Sequence, residues 1–336
     1  MLNAKISGIA SYVPDCILDN EMLSHMVDTN DEWITTRVGI KERRILKEEG
    51  KGSSYLGIQA VNKLLEELKV KAEEIDLLIC ATSNPDYRFP STASIIAYEC
   101  GLKNAYAYDI QAACAGFIVS VQAARAYICA GLYKKVIVVA AEKMSSMTNY
   151  TDRATCPLFG DAAGAVLMEP TEEPVGVVDG EFHVDGSGLH NLIMKAGGSV
   201  KPATKETVEA MEHFVYQEGR VVYKNAVRDM LQSSQSVMQR NNLTVEELDW
   251  FVPHQANLRI IEAVGGRIKI PDEKVLVNIE HYGNTSAASI PLCLDEYKSK
   301  LKKGDKVLLT AFGAGFTWGA MYLIWAFDSP KGKKKK

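Results

Sequence analysis

Two stretches far apart in this chain match in order and spacing, which constrains the fold more than any single motif. Ala72-Glu-Glu-Ile-Asp76 leads into the apolar run Leu77 to Ala81, and Val245-Glu-Glu-Leu-Asp249 leads into Trp250 to Val252. About 60 positions after Asp76 and about 58 after Asp249 come further β-branched runs, Val136 to Ala140 and Val307 to Thr310. Each is entered through a lysine-bearing turn, Tyr133-Lys-Lys or Lys303-Gly-Asp-Lys. Short apolar runs alternating with helical patterns read as α/β. The matched spacing predicts two related α/β units packed together. Chance likeness between generic helix-turn-strand pieces is the alternative, since each matching piece is short. The pattern breaks at Glu169-Pro170-Thr-Glu-Glu-Pro174, where two prolines and three acids fall together. The expected halves are therefore residues 1-172 and 173-328, followed by a basic tail, 329-336. Gly186 to about Pro202, rich in glycine and small residues, is expected to be a surface loop or lid before a helix that begins near Thr204.

At 336 residues, 47% hydrophobic and 24% charged, the chain has ample material for a buried core and the balance of an ordinary globular protein. A net charge of -4 offers no overall attraction to nucleic acid, and a nucleic-acid-binding module is disfavoured. The terminal Lys331 and Lys333 to Lys336 read as a solvated tail. Seven cysteines, odd in number and without pairing spacing, point to a reducing compartment. The six histidines form no ligand spacing with each other or with cysteine, so no metal is expected. The N-terminus lacks the apolar run of a signal peptide, and Val136 to Ala141 is too short to cross a bilayer; the expected location is the cytoplasm, with no membrane partner.

Three segments carry chemistry-bearing residues. In Asp109-Ile-Gln-Ala-Ala-Cys114-Ala-Gly116-Phe117 a strand end runs through small residues to a cysteine at the mouth of an alanine-rich helix. Unpaired N–H groups there favour a thiolate, so Cys114 is expected to have a lowered pKa. A cysteine alone is as well explained as a small hydrophobe. Val252-Pro-His254-Gln-Ala-Asn257-Leu-Arg259 places a histidine just past a strand, and His281-Tyr-Gly283-Asn284-Thr-Ser286 an asparagine in a glycine turn before a helix. Each has an ordinary structural explanation, as a core histidine or as a cap. On the repeat, Cys114 and Asn284 fall at similar positions, so two helix mouths are expected to face one pocket.

Taken together, these motifs resemble the β-ketoacyl-acyl-carrier-protein synthase III family almost end to end. The resemblance rests on Ala112-Ala-Cys-Ala-Gly-Phe117, Asp152-Arg153, Phe159-Gly-Asp-Ala-Ala-Gly164, Tyr223-Lys224, His254-Gln-Ala-Asn-Leu-Arg259, Gly283-Asn-Thr-Ser-Ala-Ala288 and Phe312-Gly-Ala-Gly-Phe-Thr-Trp-Gly319. Elongating ketosynthases carry a second histidine and thiolases a second cysteine, whereas Asn284 here favours the initiating class. Plant-type polyketide synthases share Cys, His and Asn but differ in the C-terminal glycine-rich signature.

The resemblance implies a thiolase-like fold, two duplicated α/β halves in a five-layered αβαβα arrangement, and a homodimer. It implies an acyltransferase of fatty acid synthesis that loads an acyl-CoA primer on Cys114 and condenses it with malonyl-acyl-carrier-protein, losing CO₂, without a cofactor. The implied roles are catalysis by Cys114, His254 and Asn284, and an oxyanion hole from the N–H groups of Cys114 and Ala314. CoA would be bound by Trp33, Arg37, Arg153 and Asn257. Acyl carrier protein would be met by Lys224, Gln255, Arg259 and Arg267, and the acyl pocket formed by Phe312 with Phe89, the latter reaching across the dimer interface. Two departures are an alanine at 162 and at 314 where relatives carry glycine; either methyl could narrow the pocket. The remaining alternatives are a synthase III-like enzyme joining other acyl groups in secondary metabolism, and a non-catalytic acyl-binding scaffold.

Overall fold

A computed structural model describes residues 2–329, and the terminal lysines fall outside the described residues. Two sheets carry the chain. The first comprises β1 (Asn3–Tyr12), β2 (Leu77–Ala81), β3 (Tyr106–Ile110), β4 (Val136–Lys143) and β5 (Asp161–Thr171), in the order β1-β5-β4-β2-β3. The second comprises β6 (Gly176–Val184), β7 (Trp250–Pro253), β8 (Lys306–Gly313) and β9 (Thr317–Ile324), in the order β7-β8-β9-β6. In both, the two central connections repeat: β2 pairs parallel with β4 as β7 does with β8, and β4 pairs antiparallel with β5 as β8 does with β9. Where the first half has β3, the second has one parallel bridge, Phe251 to Val275. The fifth strand of the second copy has shrunk to that single contact.

The repeat read from the sequence extends to individual hydrogen bonds. Asp76 donates its N–H to the Lys135 carbonyl at 3.0 Å, and its carboxylate accepts the Lys135 N–H at 2.9 Å. Asp249 does the same with Lys306, at 3.0 and 2.8 Å. Lys135 pairs with Glu74, and Lys306 with Glu247. Each aspartate thus fixes the register at which the next parallel strand starts, the reason for the matched spacing.

Helices complete the layers: α1 (Asp31–Val38), α2 (Ser53–Leu68), α3 (Thr92–Glu99), α4 (Gly116–Cys129), α5 (Gly219–Arg240), α6 (Leu258–Ile268) and α7 (Ser289–Glu296). Alternate residues of a strand point to opposite faces. Leu77, Ile79 and Ala81 of β2 therefore join one core with Val307, Leu309 and Ala311 of β8, and α4 and α7 fill the space between the sheets. Leu78 and Cys80 face outward onto α2 and α3. Leu308 and Phe312 face α5 and α6. Strands covered on both faces read as continuous apolar runs, which is how they appear in the sequence. The five layers αβαβα expected from the resemblance are present.

The central helices meet at small residues. A Cβ placed on Gly116 would lie 3.1 Å from the Ala81 methyl and 3.2 Å from that of Ala287. A Cβ on Gly164 would lie 2.7 Å from Pro291. The region expected to be a loop before residue 204 is more ordered than its composition suggests: a 3-10 turn over Gly186–His190 is followed by Leu192–Met194, which pairs antiparallel with Val215–Gln217. Thr204 then caps the helix Lys205–Glu209.

Candidate active site

Cys114 sits in a 3-10 turn, Ala113–Ala115, that runs directly into α4, and the turn Ser286–Ala288 runs in the same way into α7. Ala113 and Ser286 share the uncommon left-handed backbone, with φ of 46° and 50°. This pairing corrects the alignment drawn from sequence: Cys114 corresponds to Ala287, and Asn284 to Gln111. Held left-handed backbone of this kind costs about 1–3 kcal/mol and persists where surrounding packing dictates it. Here it turns the chain so that Cys114 and Asn284 both line one cavity.

That cavity, about 1190 Å³, is lined by Cys114, His254, Asn284, Phe312 and Ala314, and towards its mouth by Trp33, Arg37, Asn257 and Arg259. Asn284 is held against the 158–160 segment. Its N–H donates to the Leu158 carbonyl at 2.8 Å and its carbonyl accepts the Gly160 N–H at 3.1 Å. Only glycine fits at 160, where a Cβ would lie 2.3 Å from the Tyr282 carbonyl. Asn284 Oδ1 accepts the Ser286 N–H at 2.8 Å, which leaves the side-chain NH₂ as the group free to donate. Neighbouring Asp161 is structural: it accepts N–H groups of Leu46 and Ser145, each at 2.8 Å.

His254 is only 1% exposed, and its Nε2 has no partner. Its Nδ1 lies 2.7 Å from Ser289 Oγ. Burial pushes the imidazole down to about 3, so the ring is neutral at physiological pH. Cys114 behaves oppositely to the expectation from its helix mouth. Burial pushes the thiol up to about 12, although hydrogen bonds from the Ser286 hydroxyl and its own N–H oppose this. The loss of hydration outweighs the partial charge of a helix end, an effect of about 1 kcal/mol. Glu142, like His254, is buried, fully enclosed on β4. It accepts the Ser83 N–H at 3.0 Å and lies 3.3 Å from the Thr82 hydroxyl, yet burial still pushes it up to about 7.

The end of β8, where it enters the following turn, packs directly on the cysteine: a Cβ on Gly313 would lie 2.6 Å from the Cys114 N. Ala314, next in this turn, lines the cavity, whereas Ala162 is buried in the core and lies outside the lining. Of the two departures, only Ala314 can narrow the pocket.

Trp33, on α1, has two guanidinium groups close to its ring, with Arg153 at 4.5 Å and Arg37 at 5.8 Å from the ring centroid. Asn257 caps α6, its Oδ1 accepting the Arg259 N–H at 2.9 Å. Lys224, Arg259 and Arg267 are exposed, Arg259 at the cavity mouth. Gln255 requires correction: it is 0% exposed, donating to the Pro253 carbonyl at 2.8 Å and accepting the Asn278 N–H at 3.0 Å. Its polar atoms are consumed inside the fold, and it cannot meet a partner at the surface. Phe312 is buried at the cavity, while Phe89 is 87% exposed and lies outside this chain's cavity lining. Reading the sequence missed Ser289, Ser286, Glu142 and Arg220, the last of which also lines the cavity.

Models of the family described as 3-oxoacyl-[acyl-carrier-protein (ACP)] synthase III match residues 108–186, and its C-terminal part matches residues 238–325. Beta-ketoacyl-[acyl-carrier-protein] synthase III 2 of Bacteroides thetaiotaomicron is 57% identical over 98% of this chain and 98% of its own length. Its counterpart in Porphyromonas gingivalis is 56% identical over 97% and 98%. Among solved structures, 3-oxoacyl-[acyl-carrier-protein] synthase III from Aquifex aeolicus superposes with a TM-score of 0.88 at 42% identity, covering 96% of this chain and all of that one. The priming β-ketosynthase of the R1128 polyketide pathway superposes as well, with a TM-score of 0.89, but at 33% identity over 97% of both chains. Backbone shape therefore does not separate the two, whereas the 57% relative is much nearer in sequence.

Proposed function

This chain belongs to the β-ketoacyl-[acyl-carrier-protein] synthase III family, and from that premise we propose that it condenses an acyl-CoA primer with malonyl-acyl-carrier-protein, the step that initiates type II fatty acid synthesis. The observation that carries this reading is the unpartnered Nε2 of a buried, neutral His254, opening into the same cavity as Cys114 and the free amide of Asn284.

In the first half-reaction the Cys114 sulfur attacks the thioester carbonyl. A carbon-sulfur bond forms, the bond to CoA breaks, and the proton that leaves Cys114 ends on the CoA sulfur, so the exchange is proton-neutral and nearly isoenergetic. The N–H groups of Cys114 and Ala314 hold the tetrahedral oxyanion. In the second, malonyl thioester loses CO₂ and its carbonyl oxygen becomes an enolate oxygen. His254 Nε2–H and the Asn284 amide donate to that oxygen, and the carbanion attacks the acyl-Cys114 carbonyl. The carbon-carbon bond forms as the carbon-sulfur bond to Cys114 breaks, and the departing sulfur takes up one proton from solvent, so the malonyl carboxylate leaves as CO₂ and the thiol is restored. Neither donor carries a charge, so neither quenches the carbanion by giving up an acidic proton.

The Trp33, Arg37 and Arg153 cluster suits an adenine ring between an aromatic face and guanidinium planes, and Asn257 lies close to that entrance. Lys224, Arg259 and Arg267 offer positive charge to an acidic carrier protein. An exposed pair in one loop, Tyr87 at 63% and Phe89 at 87%, favours a second copy of the chain on that face. Seven free cysteines accord with a reducing, cytoplasmic setting, and among the described residues no helix is long and apolar enough to cross a membrane.

Intact-mass measurement after incubation with a panel of acyl-CoA thioesters tests the reading. One acyl adduct is expected, absent in Cys114→Ser, followed by product on adding malonyl-acyl-carrier-protein at rates well above malonyl-CoA. No adduct with any primer would return the chain to the class of acyl-binding scaffolds, and equal rates with both malonyl donors would remove the carrier protein.

A further inference from the structure

We propose that Ser289 is a positioning residue that holds His254 in the tautomer with its proton on Nε2, and so commits the histidine to hydrogen-bond donation rather than to removal of the Cys114 proton. The inference rests on the reading above. A neutral imidazole has one N–H and one lone pair, and what Nδ1 does decides what Nε2 presents to the cavity. Nδ1 lies 2.7 Å from Ser289 Oγ, and both residues are almost wholly enclosed, at 1% and 2% exposure. The Ser289 oxygen also accepts the Gln255 N–H at 3.4 Å, which occupies one of its two lone pairs. The hydroxyl has one proton to place, and His254 Nδ1 is its only acceptor among the described hydrogen bonds. With that proton donated, Nδ1 uses its lone pair and the ring proton resides on Nε2. The opposite tautomer would leave the Ser289 proton without an acceptor in a buried site, the costly arrangement.

Ser289 is the first residue of α7, five positions beyond Asn284. The turn that presents the Asn284 amide therefore also delivers the hydroxyl that orients the second donor. Both donors to the enolate oxygen are then set by one helix start, although His254 itself comes from the loop after β7.

Two measurements test this. In ¹⁵N NMR of histidine-labelled protein, with His254→Asn supplying the assignment, the wild-type ring is expected to be protonated at Nε2 and bare at Nδ1. The Ser289→Ala variant should be a tautomer mixture, and Ser289→Thr should restore the wild-type signature. In kinetics, Ser289→Ala should acylate Cys114 from acetyl-CoA within about threefold of wild type and condense roughly 10- to 100-fold more slowly, short of the about 10⁴-fold loss seen when a protease histidine takes the wrong tautomer. Ser289→Thr should recover most of the condensation rate. A wild-type ring protonated on Nδ1 overturns the proposal, and so does an equal fall in acylation and condensation, since Nε2 would then be serving the thiol. Absence of any acyl adduct in wild type would instead sink the function proposed above, with the tautomer still readable by NMR.

Discussion

The cysteine should react as a thiol that ionises late. Burial places Cys114 at about 12 and His254 at about 3. Moving the proton from one to the other at rest thus spans about 9 pH units, about 12 kcal/mol at 1.36 kcal/mol each. Attraction between the resulting charges, even at a 4 Å contact, returns only about 4 kcal/mol at an effective dielectric of 20. The neutral pair wins. At pH 7 about one Cys114 in 10⁵ is then ionised, against about 3% of a free cysteine with a pKa near 8.5, a deficit of about 3000-fold. The assay is alkylation by iodoacetamide, resolved by peptide mass because Cys129 is exposed and would be alkylated as well. The logarithm of the Cys114 rate should climb by one for each pH unit from about 6 to about 9 without levelling. A plateau anywhere in that range would refute the reasoning, because it would reveal a thiol that ionises within or below it. Acylation by a thioester would then depend on substrate filling the cavity and developing charge against the Cys114 and Ala314 N–H groups, rather than on a pre-ionised nucleophile.

Other consequences are open to direct measurement. Asn284→Ala removes one donor to the enolate and should slow condensation by about 10²–10³ while leaving the acyl-enzyme able to form, as read by single-turnover mass measurement. Trp33→Ala should raise KM for acetyl-CoA by roughly tenfold, the lower range of a lost base stack, with little effect on an acyl-pantetheine primer that lacks the adenine. Lys224→Glu with Arg267→Glu should lower turnover on malonyl-acyl-carrier-protein, by about tenfold at low salt, and flatten its salt dependence; unchanged kinetics would discard the basic rim. Glu142 is raised from 4.5 to about 7, so the native state binds its proton more tightly than the unfolded chain. The stability it contributes is present below pH 4.5 and is lost as pH rises through 7, about 3 kcal/mol in all. Chemical denaturation of Glu142→Gln beside wild type should therefore favour the variant increasingly from pH 4 to pH 8, and parallel curves would contradict the assignment.

The duplication was legible because its anchors are local. An aspartate that fixes strand register must stand at a set distance from the strand it holds, and Asp76 and Asp249 both do. The alignment of Cys114 with Asn284 failed by three positions because helix mouths look alike in sequence, whereas the left-handed residues that mark equivalence, Ala113 and Ser286, are ordinary amino acids for which nothing in the sequence signals a positive φ. Gln255 was misplaced for a related reason: a polar residue next to His254 has no visible sidedness until Pro253, Leu276 and Asn278 close around it. The thiol was misjudged because a helix end can be seen in a sequence and the depth of burial cannot. Ser289 gave no signal at all, being one small residue in a run of them.

The near contact between Gly116 and Ala287 governs more than packing. Cys114 lies in the turn that enters one helix and Asn284 just before the turn that enters the other, so the gap between them follows how deeply two cylinders nest. A bulkier side chain at that crossing would act as a wedge, prying the halves of the molecule apart by ångströms and detuning the chemistry without altering a single reacting group.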